Sequence, residues 1–350
     1  MGTAIWFDVL RHSSLNNSFL IKWFNVNVHK DFSTLGRKGI LKIWPNINLY
    51  MQFRKLVADF RPDLILVPLS QSTIGFLKDS IYIKLAGKKS AILIILHGSN
   101  LLNWLENSSW ITKTYFSWVM KSPNGVIVLG EKLRYLFKAW FREDQIYVVP
   151  NGLNFSFGSF EKTSTENILI RFIGSLIRSK GILELVQAIG LLNKKHKNTR
   201  LIINGIWRDK GLKHEIEQLI YSQALPVSYE GEVTGSEKEL AYKNSDIFVF
   251  TPNKPEGHPY VIIEAMAAGL PIISTDQGAI TESVIDGVNG FIVKPNCPED
   301  IAEKLIYLIE NPQERKRMGQ ESRGLYEKNF TEEKMVARLT EVFNKVFAQK

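Results

Sequence analysis

The stretch that decides the predicted fold is Pro255-Glu256-Gly257-His258-Pro259-Tyr260-Val261-Ile262-Ile263-Glu264-Ala265-Met266-Ala267-Ala268-Gly269-Leu270-Pro271. It follows a β-branched run that ends at Phe250, and it has the pattern of a loop, a helix and a helix stop. Pro259 suits the first turn of this helix, because the N–H that proline lacks would have no partner there. Gly269 and Pro271 end the helix. A strand followed by such a helix is typical of a parallel α/β sheet.

The start of this helix has the chemistry of an anion site. The amides of residues 260–262 would lack partners within the helix, and the helix dipole adds partial positive charge. The helix begins beyond the carboxyl end of the Asp246–Phe250 strand, where open α/β sheets bind ligands, so we expect a diphosphate there. Glu256 would lie in the loop and face the group attached to that phosphate. Glu264 could accept two hydrogen bonds from a ribose diol.

Short β-branched runs alternate with helical patterns along the chain, which predicts two doubly wound parallel sheets. The predicted strands are Leu64–Val67, Ala91–Leu96, Gly125–Leu129 and Ile146–Val149 in the first half, and Asn167–Ile173, Arg200–Asn204, Asp246–Phe250, Pro271–Ser274 and Gly290–Val293 in the second. The turn residues of Val149–Asn154 and the polar stretch Ser156–Glu166 predict a linker. We therefore predict domains over residues 1–152 and 153–330, followed by a C-terminal helix over 331–350 that could cross back to the first domain.

A second candidate phosphate loop is Ile173-Gly174-Ser175-Leu176-Ile177-Arg178-Ser179-Lys180-Gly181, between a predicted strand and a predicted helix. Glycine permits close approach of a ligand to the backbone, and Lys180 offers a point charge for phosphate. Turns of this kind with a nearby lysine are common, so a solvated lysine is the alternative.

Taken together, these motifs resemble the retaining GT-B glycosyltransferases of family 4, the glycosyl transferases group 1. The first motif matches their E-x7-E signature, and the likeness continues through Thr275–Glu282 and Asp286–Phe291. It covers the second half well and the first half loosely. The resemblance implies an α/β GT-B fold, in which two Rossmann-like domains with doubly wound parallel sheets face each other across a cleft.

The resemblance also implies roles for individual residues. Glu256 would lie beside the donor sugar's hydroxyls, and Glu264 would bind the nucleotide ribose. His97, at the end of the Ala91–Leu96 strand, would approach the transferred sugar across the cleft; a structural histidine is the alternative. Lys180 stands at the family's phosphate-binding lysine. Ser175 stands where many members have an arginine, so the loop lacks one cation unless Arg178 compensates.

The remaining predicted donor contacts are backbone and loop positions of the same motifs. They are Gly174, Gly231, Gly257, His258, Pro259, Tyr260 and Val261. Gly231 belongs to the turn Tyr229–Val233, which matches the family's loop around the nucleotide base; an ordinary βα turn is the alternative.

The excess of positive charge lies in the first half of the chain. Residues 1–150 contain 19 Lys and Arg against 9 Asp and Glu, whereas the remainder contains 25 against 26. Seven of the eight tryptophans are also there: Trp6, Trp23, Trp44, Trp104, Trp110, Trp118 and Trp140. Basic residues interleaved with aromatic ones suit an anionic membrane surface and also nucleic acid. The alternative is an aromatic core under a basic exterior; we expect a membrane surface and no nucleic acid.

Two amphipathic stretches fit either interpretation. Glu131–Arg142 has Leu133, Leu136, Phe137 and Trp140 on one helical face, and Trp104–Met120 has a similar pattern. Each face could pack on the sheet or lie at the headgroup level of a membrane.

The start of the chain departs from the family pattern, which opens with a strand, a glycine-rich loop and a helix. Met1–Leu10 resembles the loop and the helix without the strand. Since the first strand of a doubly wound sheet is normally central, we expect that the N-terminal domain lacks it, through a late start codon or a truncated gene. Gly2 is then the remaining candidate for contact with the acceptor in that loop.

Several patterns are missing from the sequence. It has no Asp-x-Asp pair, no His/Cys cluster, no G-x-S-x-G and no P-loop motif, so we expect no metal and no cofactor beside the donor. The one cysteine, Cys297, and the lack of a signal peptide or a long apolar run suggest a cytoplasmic protein, which could lie peripherally on the inner membrane face.

These expectations combine into one predicted activity. A hexose would pass from a nucleotide diphosphate sugar to a saccharide or lipid-linked saccharide, with retention, in surface polysaccharide or glycolipid synthesis. The alternatives are a sugar phosphorylase-like enzyme, which would share the donor motifs, and a catalytically impaired protein that only binds nucleotide sugars.

Overall fold

The computed structural model describes residues 2–26, 44–87, 89–155, 167–192, 196 and 198–348. The predicted linker Ser156–Glu166 and the side chain of Trp44 lie outside the described residues. The described α-helices are α1 (Gly2–His12), α2 (Leu15–Ser18), α3 (Trp44–Phe60), α4 (Thr73–Leu85), α5 (Leu101–Glu106), α6 (Trp110–Val119), α7 (Ile182–Leu192), α8 (Lys210–Ser222), α9 (Gly235–Lys243), α10 (Tyr260–Ala267), α11 (Ile280–Ser283), α12 (Pro298–Glu310), α13 (Pro312–Asn329) and α14 (Glu332–Ala348). No helix in this part of the chain is long and apolar enough to cross a membrane.

The first sheet contains four parallel strands in sequence order. They are β1 (Leu64–Pro68), β2 (Ala91–Ile95), β3 (Gly125–Val128) and β4 (Ile146–Val148), and they pair β1-β2-β3-β4. All five residues of β2 are buried, and they form the continuous apolar run typical of a strand covered on both faces. Each of these strands lies within two residues of its predicted bounds.

The second sheet contains six parallel strands, and its order reverses in the middle. They are β5 (Ile168–Ile173), β6 (Thr199–Asn204), β7 (Val227–Tyr229), β8 (Ile247–Phe250), β9 (Ile272–Thr275) and β10 (Gly290–Val293), in the order β10-β9-β8-β5-β6-β7. The chain leaves β5 toward β6 on one side and later returns to place β8 on the other. Such a reversal opens a crevice at the carboxyl ends of the two central strands, and ligands bind there in open α/β sheets. The predicted α/β architecture with two parallel sheets is confirmed. The second sheet has the reversal of a doubly wound sheet, whereas the described strands of the first follow sequence order.

One strand was not predicted from the sequence. β7 has only three residues, two of them half-buried and Tyr229 exposed, so it lacks the apolar run by which the other strands are recognised. It pairs with β6 at the edge of the second sheet.

The two amphipathic stretches of the first half have different outcomes. In Glu131–Arg142, a 3₁₀ helix over Glu131–Leu136 replaces a regular helix, and Leu133, Leu136 and Phe137 are buried in the core. That face therefore packs inside the protein. Trp104–Met120 forms parts of two helices, α5 and α6, which leave some of its apolar residues exposed.

The tryptophans of the first half are also divided between core and surface. Trp6 is fully buried on α1, whereas Trp110 and Trp118 on α6 are 74% and 52% exposed. Neither an aromatic core nor an aromatic surface alone describes this half.

The residues after Met1 that were predicted as loop and helix form α1. Within the described residues, β1 pairs with β2 alone, and Trp6 and Leu10 of α1 are buried in the core. Helix α1 therefore contributes to the N-terminal core.

The C-terminal helix packs on the first half of the chain. Phe343 of α14 lies 5.4 Å from Phe19, centroid to centroid, and Phe347 lies 6.1 Å from the same ring. The amide of Gly152 donates to Met335 Sδ at 3.2 Å. These contacts agree with a helix that crosses back, while the predicted domain boundaries themselves stay a prediction.

Candidate functional site

Two loops flank the crevice between β5 and β8, and both carry predicted site residues. The first runs from Gly174 after β5 to Lys180, and it ends in a 3₁₀ helix over Arg178–Lys180. The second runs from Thr251 after β8 to Pro259, where α10 begins. Both predicted phosphate loops therefore lie at the carboxyl ends of the two central strands.

The two loops are joined by an ion pair between Lys180 and Glu256. Lys180 Nζ donates to Glu256 Oε1, and the side chains are 22% and 15% exposed. Burial raises the pKa of the Glu256 carboxyl, and the nearby Lys180 offsets part of that rise. The structure thus brings together two residues that the sequence separates by 76 positions.

The loop around Glu256 is held by close backbone contacts. Gly278, at φ +59°, lies so near that a Cβ there would meet the carbonyl oxygen of Glu256 at 1.9 Å. The amide of Ala279 donates to the carbonyl of Gly257 at 2.9 Å. Since no side chain fits at position 278 without displacing the loop, its glycine fixes where Glu256 lies.

Gly257 is the point where the second domain touches the predicted histidine of the first. A Cβ at Gly257 would meet the carbonyl oxygen of His97 at 2.0 Å. Gly257 therefore serves as a close-approach position between the two sheets, one residue from Glu256.

His97 follows β2 and is enclosed by aromatic rings. Its ring lies 5.3 Å from that of Trp6 in an edge arrangement and 6.4 Å from that of Phe7. Nε2 has no contact with solvent and no hydrogen-bond partner among the described residues. Burial lowers the pKa of His97 to about 3, so the imidazole is neutral at neutral pH.

Helix α10 begins as predicted, with one difference. Pro259 is the N-cap rather than a residue of the first turn, and the amide of Ile262 donates to the Pro259 carbonyl at 3.2 Å. The amides of Tyr260 and Val261 are then the helix-start donors that an anion would meet. Nearly all of α10 is buried, which holds its first turn in place.

Glu264 is buried in α10 and both of its oxygens have partners. Oε1 accepts from Lys238 Nζ at 2.6 Å, and Oε2 accepts from Tyr242 OH at 2.8 Å. Burial, followed by the Glu264 charge, raises the pKa of Tyr242, which therefore stays a proton donor. Sequence reasoning missed Lys238 and Tyr242, because their helix α9 shows no motif and reaches Glu264 only through the fold.

Arg178 does not reach the Lys180–Glu256 pair. Its guanidinium pairs with Glu215 of α8 on the exposed side of the loop. Gly174 lies beneath the loop, where its amide donates to the Asn204 carbonyl at 3.1 Å. Arg178 is thus engaged away from the crevice, and the proposed compensation for Ser175 has no support in this arrangement.

Gly231 lies in the turn after β7, and its carbonyl is used inside the protein. It accepts from the amide of Gly205 at 2.8 Å and from Asn204 Nδ2 at 3.3 Å. The preceding Glu230 pairs with the buried Arg171 at 3.2 Å. Contacts with the protein interior therefore hold the turn in place. The contribution of Arg171 to this arrangement was not predicted from the sequence.

His258 is buried at the domain junction. Its Nδ1 accepts from the amide of Asn151 at 3.0 Å, its Nε2 lies 2.6 Å from Ser283 Oγ, and its carbonyl accepts from Asn151 Nδ2 at 2.7 Å. Burial lowers the pKa of His258 to about 3. Since both ring nitrogens are occupied, its side chain joins the two halves of the chain rather than offering a group to a ligand. Gly2 lies at the exposed start of α1, with open space around its Cα.

Further contacts join the halves beside the crevice. Glu282 accepts the amides of Glu131 and Lys132 at 2.9 and 2.8 Å, and Lys132 Nζ lies 3.0 Å from Asp276 Oδ1. Glu282 thereby caps the 3₁₀ helix of the first half.

Comparison with known proteins agrees with this geometry. Residues 156–325 match the family described as glycosyl transferases group 1. An uncharacterized glycosyltransferase of Methanocaldococcus jannaschii is 26% identical over 349 residues, which cover 94% of this chain and 86% of that protein. The capsular polysaccharide biosynthesis glycosyltransferase CapM of Staphylococcus aureus is 30% identical over 185 residues, 53% of this chain and 48% of CapM.

A solved structure extends the likeness to both sheets. HepE from Anabaena, in complex with UDP, matches with a TM-score of 0.71 at 19% identity, over 85% of this chain and 82% of HepE. The family model lies in the second half of the chain, where both ion-paired glutamates lie. The second half of the chain is therefore similar to the glycosyl transferases group 1 family, and the two sheets share a two-domain Rossmann-like GT-B fold with the solved structure.

Proposed function

We propose that this protein transfers a hexosyl group from a nucleotide diphosphate sugar to a saccharide or lipid-linked saccharide at a membrane surface, with retention of anomeric configuration. The family supports glycosyl transfer, and CapM acts in capsular polysaccharide biosynthesis. The solved structure of HepE holds UDP, which supports a nucleotide-linked donor. The product would be a surface polysaccharide or a glycolipid.

The observation that carries the proposal is the Lys180–Glu256 pair at the reversal of the second sheet. A lysine suits a phosphate, and a carboxylate suits sugar hydroxyls. A donor would separate the pair, so that Lys180 binds the diphosphate while Glu256 binds the hexose. The amides at the start of α10 would add donors to the diphosphate.

The bond changes in the reaction identify where stabilisation is needed. The bond from the sugar's anomeric carbon to the diphosphate oxygen breaks, a bond to the acceptor oxygen forms, and the proton of the acceptor hydroxyl passes to the leaving diphosphate. Negative charge grows on the leaving diphosphate, where Lys180 and the amides of Tyr260 and Val261 would stabilise it. His97, which is neutral and follows β2, would approach the transferred sugar from the other side of the cleft.

Glu264 would bind the ribose diol of the donor. Its two oxygens are held by Lys238 and Tyr242, so the diol would replace the Lys238 ammonium. Tyr242, fully buried, would keep its hydrogen bond and fix the carboxylate.

The test is a thermal-shift screen of nucleotides and nucleotide sugars, followed by donor turnover with and without inorganic phosphate. A ligand that binds only the folded protein raises its stability by about 2.7 kcal/mol at a hundred times Kd, so the donor should stand out. No shift with any nucleotide would overturn the proposal. A shift without turnover would indicate a binding protein, and turnover that requires phosphate would indicate a phosphorylase.

A further inference from the structure

Two helices of the first domain expose a strip of large apolar residues, which we name the apolar strip. Its members on α4 are Ile74, Leu77 and Ile81, exposed by 84%, 46% and 37%; those on α6 are Trp110, Ile111 and Trp118, exposed by 74%, 61% and 52%. In each helix these residues recur at helical spacing, so each set shares one face. Single exposed apolar residues are ordinary, whereas a clustered set on neighbouring helices marks an interaction site.

The two faces are side by side because α4 packs on α6. Ser80 Oγ lies 3.0 Å from Tyr115 OH, and the rings of Phe76 and Phe116 are 4.9 Å apart. At the end of the helices, Lys84 Nζ lies 3.5 Å above the centre of the Trp118 ring. The apolar strip is therefore continuous across the two helices.

The charges beside the apolar strip are mostly positive. Lys78 and Lys84 lie on α4, Lys113 lies on α6 and Lys121 follows it. Of the two acids on α4, α5 and α6, Asp79 is buried and accepts the amide of Ser70 at 2.8 Å. An apolar face bordered by lysines fits the boundary between acyl chains and anionic headgroups.

A basic cavity adjoins the strip at the end marked by Trp118. It has a volume of about 880 Å³, and its lining includes Lys84, Lys121, Ser122 and the ion pair of Arg142 with Asp144, whose atoms lie 3.0 Å apart. Lys84 Nζ donates to Ser122 Oγ at 2.7 Å, which holds the ammonium at the cavity wall. A phosphate headgroup would meet Lys84 and Lys121.

The strip also lies where it can present a membrane-bound acceptor to the site. Helix α4 begins just beyond the carboxyl end of β1, at the sheet edge that carries His97 after β2. The apolar strip therefore starts at the edge of the first sheet that faces the crevice.

We propose that the apolar strip is a membrane-docking surface, with its rings and aliphatic side chains at the headgroup level and with Lys84 and Lys121 on the phosphates of anionic phospholipids. It deepens the proposed function by naming the surface that would meet a lipid-borne acceptor, but vesicle binding can be measured without any donor. A second copy of the chain fits less well, because a symmetric contact would bring lysines against lysines.

The experiment is sedimentation of the full chain with vesicles of phosphatidylglycerol mixed into phosphatidylcholine, compared with pure phosphatidylcholine. We expect binding to the anionic vesicles, at least tenfold weaker in Trp110→Ser/Ile111→Ser and in Lys84→Met/Lys121→Met. The matched controls lie on α8: Tyr221→Ser, at a 90% exposed residue, and Lys210→Met/Lys213→Met should bind like wild type. Lipids brominated on the acyl chain should quench wild-type fluorescence more than that of Trp110→Phe/Trp118→Phe.

The outcomes separate this inference from the proposed function. Donor turnover with a short water-soluble acceptor should be the same in the strip variants and in wild type, because these residues lie outside the crevice. Equal binding to both vesicle types, wild-type binding by the strip variants, or a dimer in size-exclusion chromatography that the strip variants abolish would each overturn the docking surface. Loss of nucleotide binding with intact vesicle binding would overturn only the proposed function.

Discussion

The two sheets of this protein are both parallel, yet they present different chemistry at their carboxyl edges. The second reverses its strand order between β5 and β8, and two lysine–glutamate pairs lie near that edge. The first runs β1 to β4 in order and contributes the neutral His97, while its outer helices expose apolar side chains. The lysine–glutamate pairs that suit a nucleotide diphosphate sugar thus lie in the second half, whereas the exposed apolar surface that suits a partner lies in the first.

The largest expected effect tests whether the chemistry is divided in this way. Glu256→Gln keeps the shape but removes the carboxylate, and we expect donor turnover to fall about 10³-fold. His97→Gln should lower donor turnover only about tenfold, because a neutral imidazole would orient the sugar without supplying charge. Single-turnover assays with saturating donor would measure both, with Glu217→Gln on α8 as a control. Equal losses of donor turnover in Glu256→Gln and His97→Gln would contradict this difference between the two halves.

The next largest effect distinguishes two cations of the second half, Lys180 and Arg178. Lys180→Met should lower kcat/KM about 100-fold, because the half-buried lysine would bind the leaving diphosphate. Arg178→Met, two residues away, should change it by less than about threefold, since that guanidinium is exposed and paired with Glu215. Steady-state kinetics of the pair decide which cation serves the site. A larger loss in Arg178→Met would show that this side chain leaves Glu215 when donor binds.

A third prediction concerns the place where the two halves touch. Gly257→Ala puts a methyl group against the His97 carbonyl, and we expect it to destabilise the protein by about 2 kcal/mol and to lower turnover. Gly324→Ala, in open space on α13, should be neutral or stabilise by up to about 1 kcal/mol. Denaturant unfolding would measure both changes. Wild-type stability in Gly257→Ala would mean that the halves do not meet there.

The smallest effect is a dependence of stability on pH at the junction. Burial lowers the pKa of His258 to about 3 from 6.5, so between these values the unfolded chain binds a proton that the folded chain does not. Stability should therefore fall as the pH falls below about 6.5, by up to about 1.4 kcal/mol per pH unit for this residue. His258→Gln should reduce the slope by about half, measured by urea unfolding from pH 5 to 8, because His97, whose pKa burial lowers in the same way, still contributes. An unchanged slope in His258→Gln would contradict a buried neutral imidazole.

Much of the fold could be predicted because its strands are buried on both faces. Runs such as Ala91–Ile95 and Ile247–Phe250 are continuous and apolar, and a strand of that kind is visible in one sequence. The three residues of β7 lack such a run. The Glu131–Arg142 stretch has helical periodicity, but 3₁₀ geometry holds its first turns, so only its buried face was predictable.

The candidate site was predictable only where its residues share a motif. Glu256, Glu264 and Lys180 belong to loops and helix starts with recognisable turn chemistry. Lys238, Tyr242 and Arg171 join the site through contacts between elements distant in sequence, for which one chain carries no signal. The contact of the His258 side chain with Asn151 was not predictable for a related reason, since the two residues lie 107 positions apart.

The lysine–glutamate pairs have a consequence for selectivity inside a cell. Because Lys180 and Lys238 each hold a carboxylate, any anion that approaches the crevice must compete with an internal counter-ion. A bare phosphate ion would pair with the lysine but leave the glutamate carboxylate without its counter-ion. An unpaired carboxylate that is largely shielded from water costs free energy. A ligand that carries both phosphate and hydroxyl groups replaces both partners at once. The crevice would thus discriminate against abundant inorganic phosphate.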